Sequence, residues 1–154
     1  KKSNCLNILN VAPFKKPSNR LVFNSDILIF NELEFSLFTG LNNPIPFDLD
    51  RLKQEMKDLN LDSKMSLIVT LGSKGLVFFH KNEITFIKGK TVDAVDTVGS
   101  GDCFVGALSY SLLKGNSIRD SCEFANKSAA ISVTKKGAAA SMPNIGEIKR
   151  FFHS

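Results

Sequence analysis

Histidine and cysteine are scarce in this 154-residue chain, and no uninterrupted apolar run approaches membrane-spanning length. There are two His (His80, His153) and three Cys (Cys5, Cys103, Cys122), an odd number with no CxxC spacing. A zinc site wants four closely placed N or S ligands, and a disulfide framework wants paired cysteines. Both are ruled against, and a reducing compartment is expected: the cytoplasm, with the nucleus as second candidate. A spanning helix needs about 20 apolar residues in succession, so no membrane partner is expected. No signal-peptide pattern opens the sequence. Asn126-Lys127-Ser128 matches a glycosylation acceptor, but it lies inside a helical pattern and is read as coincidence. Repeats and low-complexity tracts are also lacking.

What is present is ordinary for a globular chain: 43% apolar and 23% charged residues. A domain of this length can bury roughly 70% of its unfolded surface. Lys and Arg number 20 against 15 Asp and Glu, a net charge of +5 that suits a phosphorylated ligand. The basic residues come in ones and twos with no aromatic platform between them, which argues against a nucleic-acid partner. The sequence opens "KKSNCLNILNVAP" without Met, and a strand pattern begins within ten residues, so it reads as part of something longer.

Short apolar runs "LNILNVAP" (6–13), "DILIF" (26–30) and "KMSLIVTLG" (64–72) predict strands buried on both faces, as in a parallel sheet covered by helices. Between the last two, "NELEFSLFTG" and "FDLDRLKQEMKDLN" predict helices. Phe35, Leu37 and Phe38 mark the apolar face of the first, and Leu49, Leu52, Met56 and Leu59 that of the second. "LVFFHKNEITFIKG" predicts an antiparallel hairpin at the sheet edge. A helix follows from Gly101 to Lys114, with Phe104, Leu108 and Leu112 on one stripe. Another opens at Ser117 and Asp120 and runs through Ala125, Ala129 and Val133. "KKGAAASMP" reads as an extended loop and "NIGEIKRFF" as a short last helix. The fold class is α/β: a Rossmann-like, doubly wound, mostly parallel sheet with an antiparallel edge hairpin.

The densest motif is "AVDTVGSGDCFVGAL" (94–108). Glycines before a helix start let an anion approach unpaired backbone N–H groups at the positive end of the helix dipole. The motif is neither GxxxxGK[ST] nor GxGxxG. Locally, Asp102 reads equally as a first-turn acid or as a base aimed into an anion loop. Asn31 and Glu34, three apart after a strand, are either a surface pair or two hard oxygen ligands for a water-rich Mg2+. "TLGSKG" (70–75) is either a hairpin entry or a backbone platform for a phosphate or base.

Taken together and in this order, Asn31 to Glu34, "TLGSKG", "DTVGSGD" and "FANKSAAISVTKKGAAASMP" (124–143) resemble the C-terminal half of the PfkB family of sugar and nucleoside kinases. "NVAP" resembles that family's "NPAP" segment, so the resemblance covers essentially the whole chain. Ser100 replaces Ala in the DTxGAGD signature. The resemblance implies a ribokinase-like fold, here partial, and ATP-dependent phosphorylation of a sugar. The "VTKKGAAASMP" segment favours D-ribose as that sugar, with D-ribose 5-phosphate as product. Asp102 would be the catalytic base and touch the sugar, and the N–H groups of Gly99, Ser100 and Gly101 would form the anion hole. Asn31, Thr70, Leu71, Gly72, Ser73, Lys74, Gly75, Gly101 and Asn126 would line the ATP site, Asn126 standing where ribokinases often carry His. Asn31 and Glu34 would organise Mg2+, largely through water. Asp96, Val98, Ser132, Lys135, Gly137 and Ser141 would bind an activating K+. Residues 1–154 would then be the ATP-binding portion of a longer kinase, which would form a homodimer through a lid in its N-terminal half. Two other readings stay open: a different PfkB-family kinase, and an inactive nucleotide-binding fragment.

Overall fold

The expected strands form where β-branched and aromatic residues cluster, in a computed structural model that describes residues 5–40, 48–62 and 64–153. Strands β1 (Ile8–Asn10), β2 (Ile27–Asn31) and β3 (Ser66–Thr70) pair in parallel, with Asn31 opposite Thr70 at the last register position of β2 and β3. Leu28, Phe30, Leu67 and Val69 take one face and Ile27, Ile29 and Ile68 the other, and none is more than 3% exposed. That two-sided burial is why the runs are continuously apolar rather than alternating. Strand β4 (Gly75–His80) joins β3 antiparallel, and β5 (Glu83–Lys88) ends the strand order β1-β2-β3-β4-β5. Lys81 and Asn82, at φ 50° and 65°, connect β4 to β5 as a two-residue turn with both φ positive, the geometry that matches strand twist. The hairpin lies at the sheet edge, as predicted.

By contact the chain divides into two compact units, residues up to 72 with 76–86, and 73–75 with 87 onward. In the first, helices α2 (Glu32–Thr39) and α3 (Leu49–Asp58) contribute Phe35, Leu52 and Met56 to one core with Leu28, Phe30, Leu67 and Val69. Each such side chain is worth roughly 1.5–3 kcal/mol when fully buried. The expected face of α2 needs correction at Leu37, which is 45% exposed, while Ser36 is buried and donates its hydroxyl to the Glu32 carbonyl at 2.9 Å. Two residues turn a helix by about 200°, so Phe35 and Leu37 cannot share a face. Phe47, in the predicted start of the second helix, lies outside the described residues, and Asp48 caps α3 instead. Helix α1 (Asn19–Phe23), capped by Ser18, was not expected, because five residues are too few to show a period.

The second unit holds α4 (Ser100–Leu113), α5 (Ile118–Ser132) and α6 (Ile145–His153). Helix α4 buries Cys103, Phe104 and Leu108, and Gly115 at φ 84° follows its end. Ser117 caps α5, accepting the Asp120 N–H at 3.1 Å and donating its hydroxyl to the Asp120 carboxylate at 2.7 Å. The predicted extended loop after α5 is compact instead: Gly137 turns at φ 85°, and Ala139–Ser141 close a 3-10 turn. Among the described residues no helix is long and apolar enough to cross a membrane.

Candidate active site

In the first unit the chemistry-bearing residues stand at the C-terminal ends of parallel strands, where ligands gather in open α/β sheets. Asn31 closes β2 and caps α2: its Oδ1 accepts the Glu34 N–H at 2.8 Å, and Glu34 Oε2 accepts the Asn31 N–H at 2.8 Å. The pair predicted to organise Mg2+ is thus a reciprocal capping box with Glu34 7% exposed. Each side chain keeps lone pairs beyond the single N–H it accepts, which fits an ion held through water. Opposite Asn31, Thr70 donates its hydroxyl to the Phe30 carbonyl at 3.3 Å. Leu71 is buried in the core, so only its backbone is available to a ligand. Gly72 turns the chain at φ 56°.

In the second unit, residues 73–75 cross the end of β5 at contact distance. A Cβ on Gly75 would lie 2.0 Å from the Ile87 carbonyl oxygen, and one on Gly89 would lie 2.0 Å from that of Ser73. Only glycines allow this crossing, which the Gly89 N–H seals on the Lys74 carbonyl at 2.8 Å. Asn126, from α5, donates its side-chain N–H to the Lys88 carbonyl at 3.0 Å. Ser73, Lys74, Gly75 and Asn126 are thereby gathered around one strand end, and Asn126 Oδ1 accepts no hydrogen bond from a described residue.

The glycine turn opens α4 without a side-chain cap. Gly99 is the N-cap of α4 in the left-handed conformation, φ 79°, and offers no capping side chain to the first N–H groups. Ser100 donates its N–H to the Thr97 carbonyl at 3.2 Å and Cys103 donates to Gly99 at 2.9 Å, while Gly101 and Asp102 find no backbone acceptor among the described residues. One of the three predicted anion-hole donors, Ser100, is therefore engaged within the turn. A Cβ on Gly101 would meet nothing within 4 Å. Asp102, exposed and acidic in that same first turn, borders a cavity of about 260 Å³ lined chiefly by apolar groups, including Tyr110, Phe124, Met142 and Ile148.

Around this turn the structure brings together the residues predicted to bind K+. Asp96 accepts the N–H groups of Val98 at 3.0 Å and Gly137 at 2.9 Å, and these two bonds, Gly137 first, hold its carboxyl below its usual value. The carbonyl oxygens of Val98, Lys135 and Gly137 accept no hydrogen bond from a described residue, and oxygens of this hard type are ones an alkali cation takes. Ser132 and Ser141 are buried, and their hydroxyls donate to the Ala129 and Ala138 carbonyls. Cys103 lies beside Ser132; burial pushes its thiol up against a smaller pull from the Ser132 hydroxyl and Lys135.

Three participants escaped the sequence reading. Gly89 is the partner of Gly75 in the backbone crossing. Ala138 would lie 3.0 Å from a Cβ on Gly99. Glu147 forms an ion pair with Lys135. Only the last carried a local signal, the N-x-x-E spacing of Asn144 and Glu147.

Residues 1–145 match the model for pfkB family carbohydrate kinases, and the chain belongs to that family. Ribokinases are among the relatives it resembles, as are a deoxyribokinase and a fructokinase. The chain is 34% identical over 149 residues to "Ribokinase" of Staphylococcus aureus, covering 93% of this chain and 46% of that protein. It is 34% identical over 151 residues to that of Haemophilus influenzae, covering 98% and 48%. The crystal structure of ribokinase from Thermotoga maritima superposes with a TM-score of 0.84 at 29% identity, over 99% of this chain and 50% of that one. Arabidopsis thaliana ribokinase, complexed with ribose and ATP, gives 0.82 at 30% identity over 94% and 46%. The fold is that of ribokinase, and the chain spans about half the length of the curated relatives it matches.

Proposed function

We propose that this chain is the ATP-binding and phosphoryl-transfer portion of a kinase that converts D-ribose to D-ribose 5-phosphate. The observation that carries the reading is the Gly99–Asp102 turn: unsatisfied N–H groups, open space in front of Gly101, and a carboxylate on the same helical turn. The sugar's 5-hydroxyl oxygen attacks the γ-phosphorus of ATP; the new O–P bond forms as the bond to the β,γ-bridging oxygen breaks, leaving ADP, and the hydroxyl proton passes to Asp102. An ordinary carboxylate is a weak base toward an alcohol, so this transfer comes late and Asp102 acts largely by positioning. Charge on the transferring phosphoryl oxygens meets the Gly99 and Gly101 N–H groups, joined by Ser100 once it releases Thr97. Asn31 and Glu34 would hold Mg2+ through its water shell, where it supplies neutralising charge to the phosphates. Asp96 and the oxygens of Val98, Ser132, Lys135, Gly137 and Ser141 would hold K+, which supplies order to the loop without touching substrate. Ser73 to Gly75 and Asn126 would seat the nucleotide. The sugar contacts beyond Asp102, and the lid of a homodimer, belong to a segment outside these 154 residues, so this chain binds nucleotide without turning sugar over.

The test has two arms. Calorimetry should show ADP binding to the 154-residue chain; its absence rejects the nucleotide site. Joined to the N-terminal half of the Staphylococcus aureus ribokinase, which would supply the sugar contacts, the chain should phosphorylate ribose, and faster in K+ than in N-methylglucamine. No turnover of ribose would reject the phosphoryl-transfer reading of this chain, and equal rates in the two salts would reject the K+ site. Asp102→Asn should lower turnover by about 10²–10⁴-fold with ADP affinity kept.

A further inference from the structure

The loop beside Gly99 is tied to helix α6 by one short ion pair. Lys135 Nζ lies 2.6 Å from Glu147 Oε1, and both side chains are about two-thirds covered, at 33% and 29% exposed. Glu147 is fixed at its own end: its Oε2 accepts the Asn144 N–H at 2.8 Å, and Asn144 Oδ1 accepts the Glu147 N–H at 3.0 Å. Lys135 is fixed too, its N–H donating to the Ser132 carbonyl at 3.2 Å. Two residues further on, Gly137 donates to Asp96, and Ala138 stands against Gly99. A charge-assisted bond between two anchored side chains loses little further entropy and constrains direction.

We propose that Glu147 is a positioning residue: through Lys135 it holds residues 135–138 against Asp96 and Gly99, and so sets the shape of the anion-binding turn. This rests on the phosphoryl-transfer reading of that turn. Glu147→Gln removes the charge but keeps a side chain able to serve the α6 capping box, and Lys135→Met breaks the pair while leaving that box intact.

Amide exchange of Val98 and Gly137, both bonded to Asp96, is followed by NMR in the nucleotide-free chain, and ADP affinity by calorimetry. Either variant should speed those two amides about threefold and weaken ADP by a similar factor. The double variant should do no more than either single one, and exchange across Leu108–Leu113 and the melting temperature should stay put. Unchanged Val98 and Gly137 exchange, additive effects in the double variant, or faster exchange with undiminished ADP affinity would each overturn the proposal. Should the unaltered chain bind no ADP, the nucleotide reading fails and the positioning role falls with it. The exchange data would still show separately whether the clamp exists.

Discussion

Gly99 and Gly101 stand two positions apart and answer to different constraints. Gly99 has a positive φ and Ala138 within 3.0 Å of the place a Cβ would occupy, so the fold itself demands glycine there. Gly99→Ala should cost about 1–2 kcal/mol from the left-handed backbone alone, seen as a lower urea midpoint. Gly101 has open space where its Cβ would go, and in a first helical turn alanine is the better helix former. Gly101→Ala should leave the urea midpoint equal or higher and yet weaken ADP, because the methyl stands where the phosphate would approach. ADP affinity unchanged in that variant would put the phosphates elsewhere. The thiols divide similarly. Burial pushes Cys122 up to about 12 and raises Cys103, whereas Cys5 is exposed. Iodoacetamide should label Cys5 alone in the native chain; labelling of Cys103 would show that the turn opens.

Among the elements, those with a local signature were legible in the sequence. Apolar runs announced β2 and β3, Gly115 announced the end of α4, and Ser117 the start of α5. Asn31 and Glu34 were legible as a pair, but only the structure shows that their first engagement is with each other's backbone. Asn31→Ala should therefore cost about 1 kcal/mol of stability whether or not a metal is present, measurable by urea unfolding in chelator. Asp96 and Gly137 were placed together only through the family resemblance, and the contact of Lys135 with Glu147 could not be read from the sequence at all, because nothing in either segment names its partner. These contacts carry a pH signature. Asp96 lies below its ordinary 3.8, held by the Gly137 and Val98 N–H groups, and Glu147 below its ordinary 4.5, held by the Lys135 ammonium and then the Asn144 N–H. A carboxyl depressed in the folded state contributes stability in full above its unfolded value and loses it as pH falls through the folded one. The loop should be indifferent to pH from about 8 to 5 and loosen below about 4. NMR titration of the two carboxyl carbons should give midpoints under 3.8 and 4.5, and midpoints at or above those values would contradict the assignment.

For the molecule as a whole, a net charge of +5 gives an anionic nucleotide a favourable approach. Raising N-methylglucamine chloride from about 10 to about 150 mM shortens the Debye length from roughly 30 to 8 Å, and ADP affinity should fall severalfold. Salt-independent affinity would mean that short-range contacts alone hold the nucleotide. Family membership was legible at this scale because four motifs keep their order and gaps along the chain. The sugar was not, since among the residues described only Asp102 is assigned to it. The Gly75–Gly89 crossing has a consequence for how the chain finds this structure. A hairpin slipped by one residue would press Lys88 or Lys90, each with a Cβ, into the space where the Ser73 carbonyl leaves room only for a hydrogen. Misaligned hairpins therefore cannot close, and the edge of the sheet proofreads its own assembly.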